Sequence, residues 1–375
     1  MRKTILALAT LIGTMIGAGI LGIPYVVMKS GFAIGLIHIF VIAFLIMITM
    51  LYLGEIALRT NHSFQLTGYA EKYLGKKGKI AMMLALGFGI YAALIAYLLG
   101  VGESFSFLFY NTSSHALYFS IAFWLFLSII SYFGLKALES GEFIGVSAIF
   151  ISIIAMTIFF ANKLSFANFI PNNTETFLDY LLPFGVILFA FLSYTAIPEV
   201  KRILKNSKNE MKRSIILAII ICSFIYILFA IIVIGYKGQN APEMATFALG
   251  KPFVLLGVLT MSSAYLALSI ALIDMFYLDF GQPKIKSWFF AVLIPLILFI
   301  LFKFLNVASF TKILGIGGAI SGTFTAILIL LMANKAKFLG DRKPEYSLPI
   351  SKLIIWLLSI IFIIGTIAEI IRTFT

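Results

Sequence analysis

The chain has 375 residues, 62% of them hydrophobic and 11% charged, with a mean hydropathy of +1.08. That balance excludes a soluble globular domain and points to a polytopic membrane protein. The net charge of +13 is dispersed through short segments, which speaks against a nucleic-acid partner, and the single cysteine, Cys222, excludes an intramolecular disulfide framework.

At about 20 apolar residues per span, eleven transmembrane helices are predicted in an all-α protein, near residues 4–28, 32–55, 79–100, 116–134, 141–161, 178–198, 213–236, 252–274, 287–305, 311–333 and 351–371. The first is too long, and too closely followed by the second, for a cleaved signal peptide. An inner N-terminus puts 21 of the 28 Lys and Arg in cytoplasmic segments, Lys136 and the cluster from Lys201 to Arg213 among them. The positive-inside rule thus predicts a multi-pass protein of the cell membrane with its N-terminus cytoplasmic and, after eleven spans, its C-terminus extracytoplasmic.

Span 1 carries Gly17, Gly19, Gly22 and Pro24 where a plain anchor would be regular. Glycine lets backbone leave helical geometry and proline lacks an N–H, so residues 17 to 22 are expected to unwind and bind a solute. Irregular backbone at membrane depth survives only when buried in protein or lining a polar cavity. The amides of Gly17, Ala18, Gly19 and Ile20 would suit a carboxylate, reinforced by the positive end of the following half-helix. Gly13 and Gly17 also fit a GxxxG packing surface, with Pro24 as a kink.

Span 3 offers Tyr91 and Tyr97, of which Tyr97 is taken as a substrate-facing residue, and Glu103 near its outer end. Span 6 runs from Pro183 to Pro198 and is interrupted beside Ser193, Tyr194 and Thr195. Ser193 and Tyr194 supply hydroxyls to a substrate, carbonyls freed at the breaks would hold an amino group, and Phe189 would cover an apolar part. In span 8, the hydroxyls of Ser262 and Ser263 and the carbonyl of Leu259, with carbonyls of Gly13 and Ile16, form a candidate sodium shell. The same hydroxyls also suit bonds to carbonyls of their own helix.

Breaks in spans 1 and 6 suggest two repeats, about 4–161 and 178–333, with an extra helix at about 351–371, in one membrane domain over 1–375. Five spans in each repeat make the two inverted in the membrane, and paired interrupted helices point to a central site. Among ionisable residues in or near spans, Glu55, Glu142, Glu199 and Glu369 are expected at membrane boundaries, while Glu103 and Asp274 are candidate proton or gate carboxylates. His38, His62 and His115 lack metal-ligand spacing, and no GxxxxGK[ST] phosphate loop is present. Neither an enzyme nor an ATP-driven pump is expected, nor an organic cofactor.

Three stretches resemble a known family. Gly13-Thr-Met-Ile-Gly-Ala-Gly-Ile-Leu-Gly-Ile-Pro24, Phe184-Gly-Val-Ile-Leu-Phe-Ala-Phe-Leu-Ser-Tyr-Thr-Ala-Ile-Pro-Glu199 and the basic loop from Val200 to Lys208 are similar to the aromatic or hydroxy amino acid permeases. Those permeases and the amino acid/auxin permeases are branches of the amino acid/polyamine/organocation superfamily. Span 8 departs from that family's Thr-Ser-Phe-Leu-Gly pattern, reading Ser263-Ala-Tyr-Leu-Ala267. The resemblance implies a LeuT-type fold of two inverted five-helix repeats, with helices 1 and 6 discontinuous, plus one helix. It also implies cation-coupled import of an amino acid by alternating access. Some proton-coupled relatives use a span-5 lysine; here the span from Gly141 to Ala161 has none, which tilts the expectation toward Na+ while leaving H+ open. An amino-acid-sensing receptor without transport, or a channel, are the alternatives.

Overall fold

The computed structural model describes residues 2–133, 141–170, 179–305 and 309–374, with side chains at 3–133, 150–170, 179–305 and 309–373. Lys136 and the side chain of Glu142 lie outside the described residues. All regular structure among the described residues is helical. Among the described residues nine helical segments are long and apolar enough to cross a membrane, and a bent pair makes a tenth. The fully described part of the helix at Gly141–Phe160 is shorter than a span.

The bent pair is span 1. Helix α1 (Arg2–Met15) and helix α2 (Gly19–Lys29) meet at 57° across Ile16, Gly17 and Ala18. The interruption therefore begins one residue earlier than expected and ends at Ala18, and Gly19 to Gly22 are helical. Pro24 lies inside α2 without ending it; in the turn it disturbs, the carbonyl of Leu21 accepts the Ala245 amide of a distant loop at 3.0 Å.

Helix α3 (Phe32–Arg59) buries Ile39, Ile42, Ile46 and Leu53 and leaves Ile37, Phe40, Val41 and Phe44 exposed, as a helix with one face toward lipid does. Helix α4 (Leu66–Tyr110) begins well before the expected span, inside what the sequence reads as a polar loop. Gly75, at φ +76°, bends it there, a conformation open to glycine at little cost. Helices α5 (Ala116–Phe133) and α6 (Gly141–Phe160) follow.

Span 6 is interrupted as expected. Helix α7 (Pro183–Phe191) stops at Leu192, Ser193 is non-helical at φ −140°, and one 3-10 turn over Tyr194–Ala196 leads into helix α8 (Ile197–Ile203). Helices α9 (Glu210–Lys237), the short α10 (Thr246–Leu249), α11 (Lys251–Asp274), α12 (Lys284–Phe304), α13 (Phe310–Leu339) and α14 (Lys352–Phe374) complete the chain.

Helix α13 packs most extensively, first on α4 and then on α7. Its glycines permit this: a Cβ on Gly317 would stand 2.5 Å from Ala92 Cβ, and one on Gly318 would stand 2.6 Å from Phe189 Cβ. In lipid, such close backbone approach replaces the hydrophobic drive between helices.

A helix end leaves its last four carbonyls without partners. At the end of α3 each one is answered: Ile56 by the Thr60 hydroxyl at 2.8 Å, Ala57 by the Thr60 amide at 3.3 Å, Leu58 by the Arg342 guanidinium at 2.8 Å, and Arg59 by the Asp341 amide at 2.8 Å. The extended segment 340–350 thus straps the end of α3, and Tyr346 and Tyr52 add bonds to Leu51 and Pro349 at 2.7 Å each. Lys72, with the Asn61 amide, holds the Asp341 carboxyl below the usual carboxylate range, so this link persists at neutral pH.

Candidate functional site

The two interrupted helices meet. A Cβ on Gly19, the first residue of α2, would lie 2.7 Å from Ala190 Cα, 2.8 Å from its Cβ and 3.1 Å from its nitrogen. Only glycine allows α2 and α7 to touch backbone to backbone there. Break one also faces α4: a Cβ on Gly17 would stand 3.3 Å from the phenolic oxygen of Tyr97, which lies beside Ala18.

On the other side stands Tyr226 of α9. Its hydroxyl lies 2.8 Å from the carbonyl of Met15, the last residue of α1, and 2.7 Å from the carbonyl of Ala190, near the end of α7. One hydroxyl proton serves these two acceptors, while the ring packs edge-on against Phe191 at 4.9 Å. Phenols stand at both breaks: Tyr97 beside Gly17 and Ala18, and Tyr226 at two carbonyls. Unsatisfied backbone groups at membrane depth cost several kcal/mol each.

The sequence-predicted residues divide into those gathered here and those held elsewhere. Gly17, Ala18, Gly19 and Tyr97 come together, with Ile20 buried beside them in α2. Phe189, one residue before Ala190, packs on Gly318 of α13 and is half-buried. Ser193 and Tyr194 face α3 instead: Tyr194 shares a 2.9 Å bond with Thr49, and the Ser193 hydroxyl lies 3.2 Å from Met50 Sδ.

The five residues of the candidate sodium shell differ in their surroundings. Leu259 and Ser263 lie on the exposed stripe of α11, whereas Ile16 is buried and Gly13 half-buried in α1. The Ser262 hydroxyl donates to Val258 at 2.6 Å and that of Ser263 to Thr260 at 3.0 Å, both on their own helix. A hydroxyl on an apolar helix finds its cheapest partner one turn back, which accounts for the arrangement.

Among the boundary carboxylates, Glu199 is exposed, while two others are buried within the protein. Glu55 is 2% exposed, at the strap, and Glu369 is 1% exposed, between Gly185 of α7 and Gly315 of α13. Of the candidate gate carboxylates, Glu103 is partly buried and Asp274 exposed. Tyr226 escapes sequence reasoning altogether, as one of sixteen tyrosines in the chain.

Tyr226→Phe keeps the ring packing and removes the shared donor. Leaving two buried carbonyls without it is expected to destabilise the protein by about 1–3 kcal/mol, read as a lower thermal-unfolding midpoint in detergent. An unchanged midpoint would mean that water takes the place of the hydroxyl.

Comparison with known proteins locates these features. The profile of the tryptophan/tyrosine permease family matches residues 1–241, which hold both breaks, Tyr97 and Tyr226. Glutamine transporter 2 of Aliivibrio fischeri is 24% identical over 336 residues, 85% of either chain. Tyrosine-specific transport system 1 of Haemophilus influenzae is 24% identical over 243 residues, 64% of this chain and 60% of that relative.

Proposed function

The chain belongs to the tryptophan/tyrosine permease family, and from that premise we propose that it is a secondary carrier importing an amino acid across the cytoplasmic membrane by alternating access. In this reading the fold is LeuT-type: spans 1–5 and 6–10 are inverted repeats, the eleventh span is the extra helix, and the N-terminus is cytoplasmic. The relatives named for glutamine and for tyrosine support an amino acid as substrate.

The observation that carries the proposal is the contact of the two breaks at Gly19 and Ala190, bridged by Tyr226. An amino acid's carboxylate would take the Ala18 amide in place of the Tyr97 hydroxyl. Its ammonium, with three donors, would satisfy both carbonyls that Tyr226 serves with one. Tyr97 and Tyr226 then act as stand-ins for the substrate, keeping the breaks satisfied when it is absent. Phe189 and Ile20 border the same place and would face the side chain.

In this reading the coupling ion is Na+ or H+, with Gly13, Ile16, Leu259, Ser262 and Ser263 the candidate shell for Na+. A receptor or a channel finds less support: breaks closed against each other suit an occluding carrier.

The test is thermal unfolding of the purified protein with tyrosine, tryptophan and glutamine, followed by counterflow of the stabilising one in proteoliposomes. Stabilisation and saturable counterflow are expected. Saturable binding without counterflow would favour the receptor, and flux that does not saturate the channel.

A further inference from the structure

Helix α14, left over from the paired repeats, turns a polar stripe toward the bundle. Ser359, Phe362, Thr366 and Glu369 are buried, while Trp356, Leu357, Ile360, Ile364 and Ile367 are exposed. The Thr366 hydroxyl is fully engaged, 2.6 Å from that of Thr323 and 3.0 Å from the carbonyl of Ala319. Glu369, about one turn farther on, is placed differently.

Its carboxyl sits in a space that two glycines leave open. A Cβ on Gly185 would lie 2.8 Å from its Cδ, and one on Gly315 would overlap its Oε1. The one hydrogen bond is a long one, from the Gly185 amide to Oε2 at 3.4 Å. A carboxylate offers about four acceptor sites, and an ionised one at membrane depth is costly when so few are met.

The surrounding charges do not neutralise it by contact. Helix α7 carries no ionisable side chain, and the nearest on α13, Lys312, is exposed. Arg372 lies farther along α14 itself; the turn before α7 brings Asp179 and Tyr180, and Tyr25 and Glu243 belong to the same electrostatic neighbourhood. No ion pair links Glu369 to any of these among the described residues.

Glu369 is also coupled to the breaks. Helix α7 has nine residues, with the carboxyl against its first turn and Ala190 in its last. At 1.5 Å per residue Gly185 and Ala190 are about 7.5 Å apart along the helix. A tilt that opened the contact of Ala190 with Gly19 would also draw the Gly185 amide away from the carboxyl.

We propose that Glu369 binds the coupling proton, holding it while α7 and α13 are closed around the carboxyl and releasing it when α7 tilts. On release the O–H bond breaks heterolytically, the electron pair stays on the carboxylate, and the proton passes to water. The inference rests on the carrier reading. A fixed carboxylate that only caps the N-terminus of α7 would occupy the same place without exchanging a proton, so the test must read protons.

The probe is whichever of tyrosine, tryptophan and glutamine stabilises the purified protein. In proteoliposomes, an imposed inward proton gradient is expected to raise its accumulation in the wild type. Glu369→Gln should lower that accumulation by about tenfold or more while keeping counterflow, which needs no gradient. In weakly buffered detergent solution, raising the pH should release from the wild type a proton that Glu369→Gln does not release. Should Glu369→Gln fail to fold, Glu369→Asp decides: it retains a carboxyl and should retain proton-driven accumulation with a displaced pH dependence, while an unchanged pH profile or lost coupling with intact counterflow overturns the proposal. Equal accumulation by wild type and Glu369→Gln, or wild-type transport indifferent to the proton gradient, also overturns it. Absence of wild-type counterflow with all three probes is a separate result, which removes the carrier reading itself.

Discussion

Gly19→Val is expected to abolish stabilisation by the substrate while the protein remains folded and monodisperse. The added Cβ would meet the backbone of Ala190 at 2.7 Å for Cα and 3.1 Å for N, and backbone has no rotamer to change. Either α2 or α7 must shift. Overpacking of this kind costs about 1–3 kcal/mol, a sum that a helix bundle of this size tolerates, whereas a displacement near 1 Å at a binding site costs about a hundredfold. A graded series sharpens the result. Gly17→Ala would meet only the Tyr97 hydroxyl, at 3.3 Å and at the end of a side chain, and should retain most binding. Gly22→Ala would meet Val186 Cγ1 at 3.1 Å, where a rotamer adjustment suffices. The checks are size-exclusion profile and the ligand-induced shift of the unfolding midpoint for each variant. A Gly19→Val protein that responds to ligand as the wild type does would make the glycine a packing residue and nothing more.

That interrupted pair was legible because glycine and proline stand out against an apolar run, and the same contrast marked Ser193 to Thr195. The exact limits of break one were not. In the stretch Gly19 to Gly22 the carbonyl of Leu21 accepts the Ala245 amide from a loop more than two hundred residues away, a partner that local sequence does not reveal. Tyr97 was legible as a hydroxyl in an apolar span. Tyr226 is chemically the same kind of residue, but its role exists only because two carbonyls from different helices converge on it. The serines of α11 admit two readings in the sequence, and in the structure their hydroxyls reach carbonyls of their own helix. Glu369 was read as interfacial because it lies near the predicted boundary of the last span. Depth in the bundle is set by neighbouring helices, and the hint was the spacing of Phe362, Thr366 and Glu369 along one face.

The strap across α3 concentrates its charge on one carboxylate, so Glu55→Ala is expected to produce the largest loss of stability. Oε1 of Glu55 is 2.8 Å from Arg59 Nε, 2.5 Å from Lys337 Nζ and 3.2 Å from the Ser347 hydroxyl; Oε2 accepts the Leu348 amide at 2.8 Å. Side-chain exposure is 3% at Glu55, 14% at Arg59 and 17% at Lys337, so both cations are largely shielded from water. Removing one partner of a buried ionic cluster costs about 3–5 kcal/mol, because the remaining charges stay buried and uncompensated. Glu55→Gln should fall between wild type and Glu55→Ala, since its amide can present an oxygen to the cations or to the Leu348 N–H but not to both. The double variant Glu55→Ala with Lys337→Met should recover part of the loss, as it removes an orphaned cation along with its partner. Thermal unfolding of these four proteins and of Lys337→Met alone supplies the measurement. Losses that merely add in the double variant would show that Glu55 and Lys337 act independently, and the strap would then be held by the bonds of the Arg342 guanidinium and the Asp341 amide to the carbonyls of Leu58 and Arg59 rather than by this charge cluster.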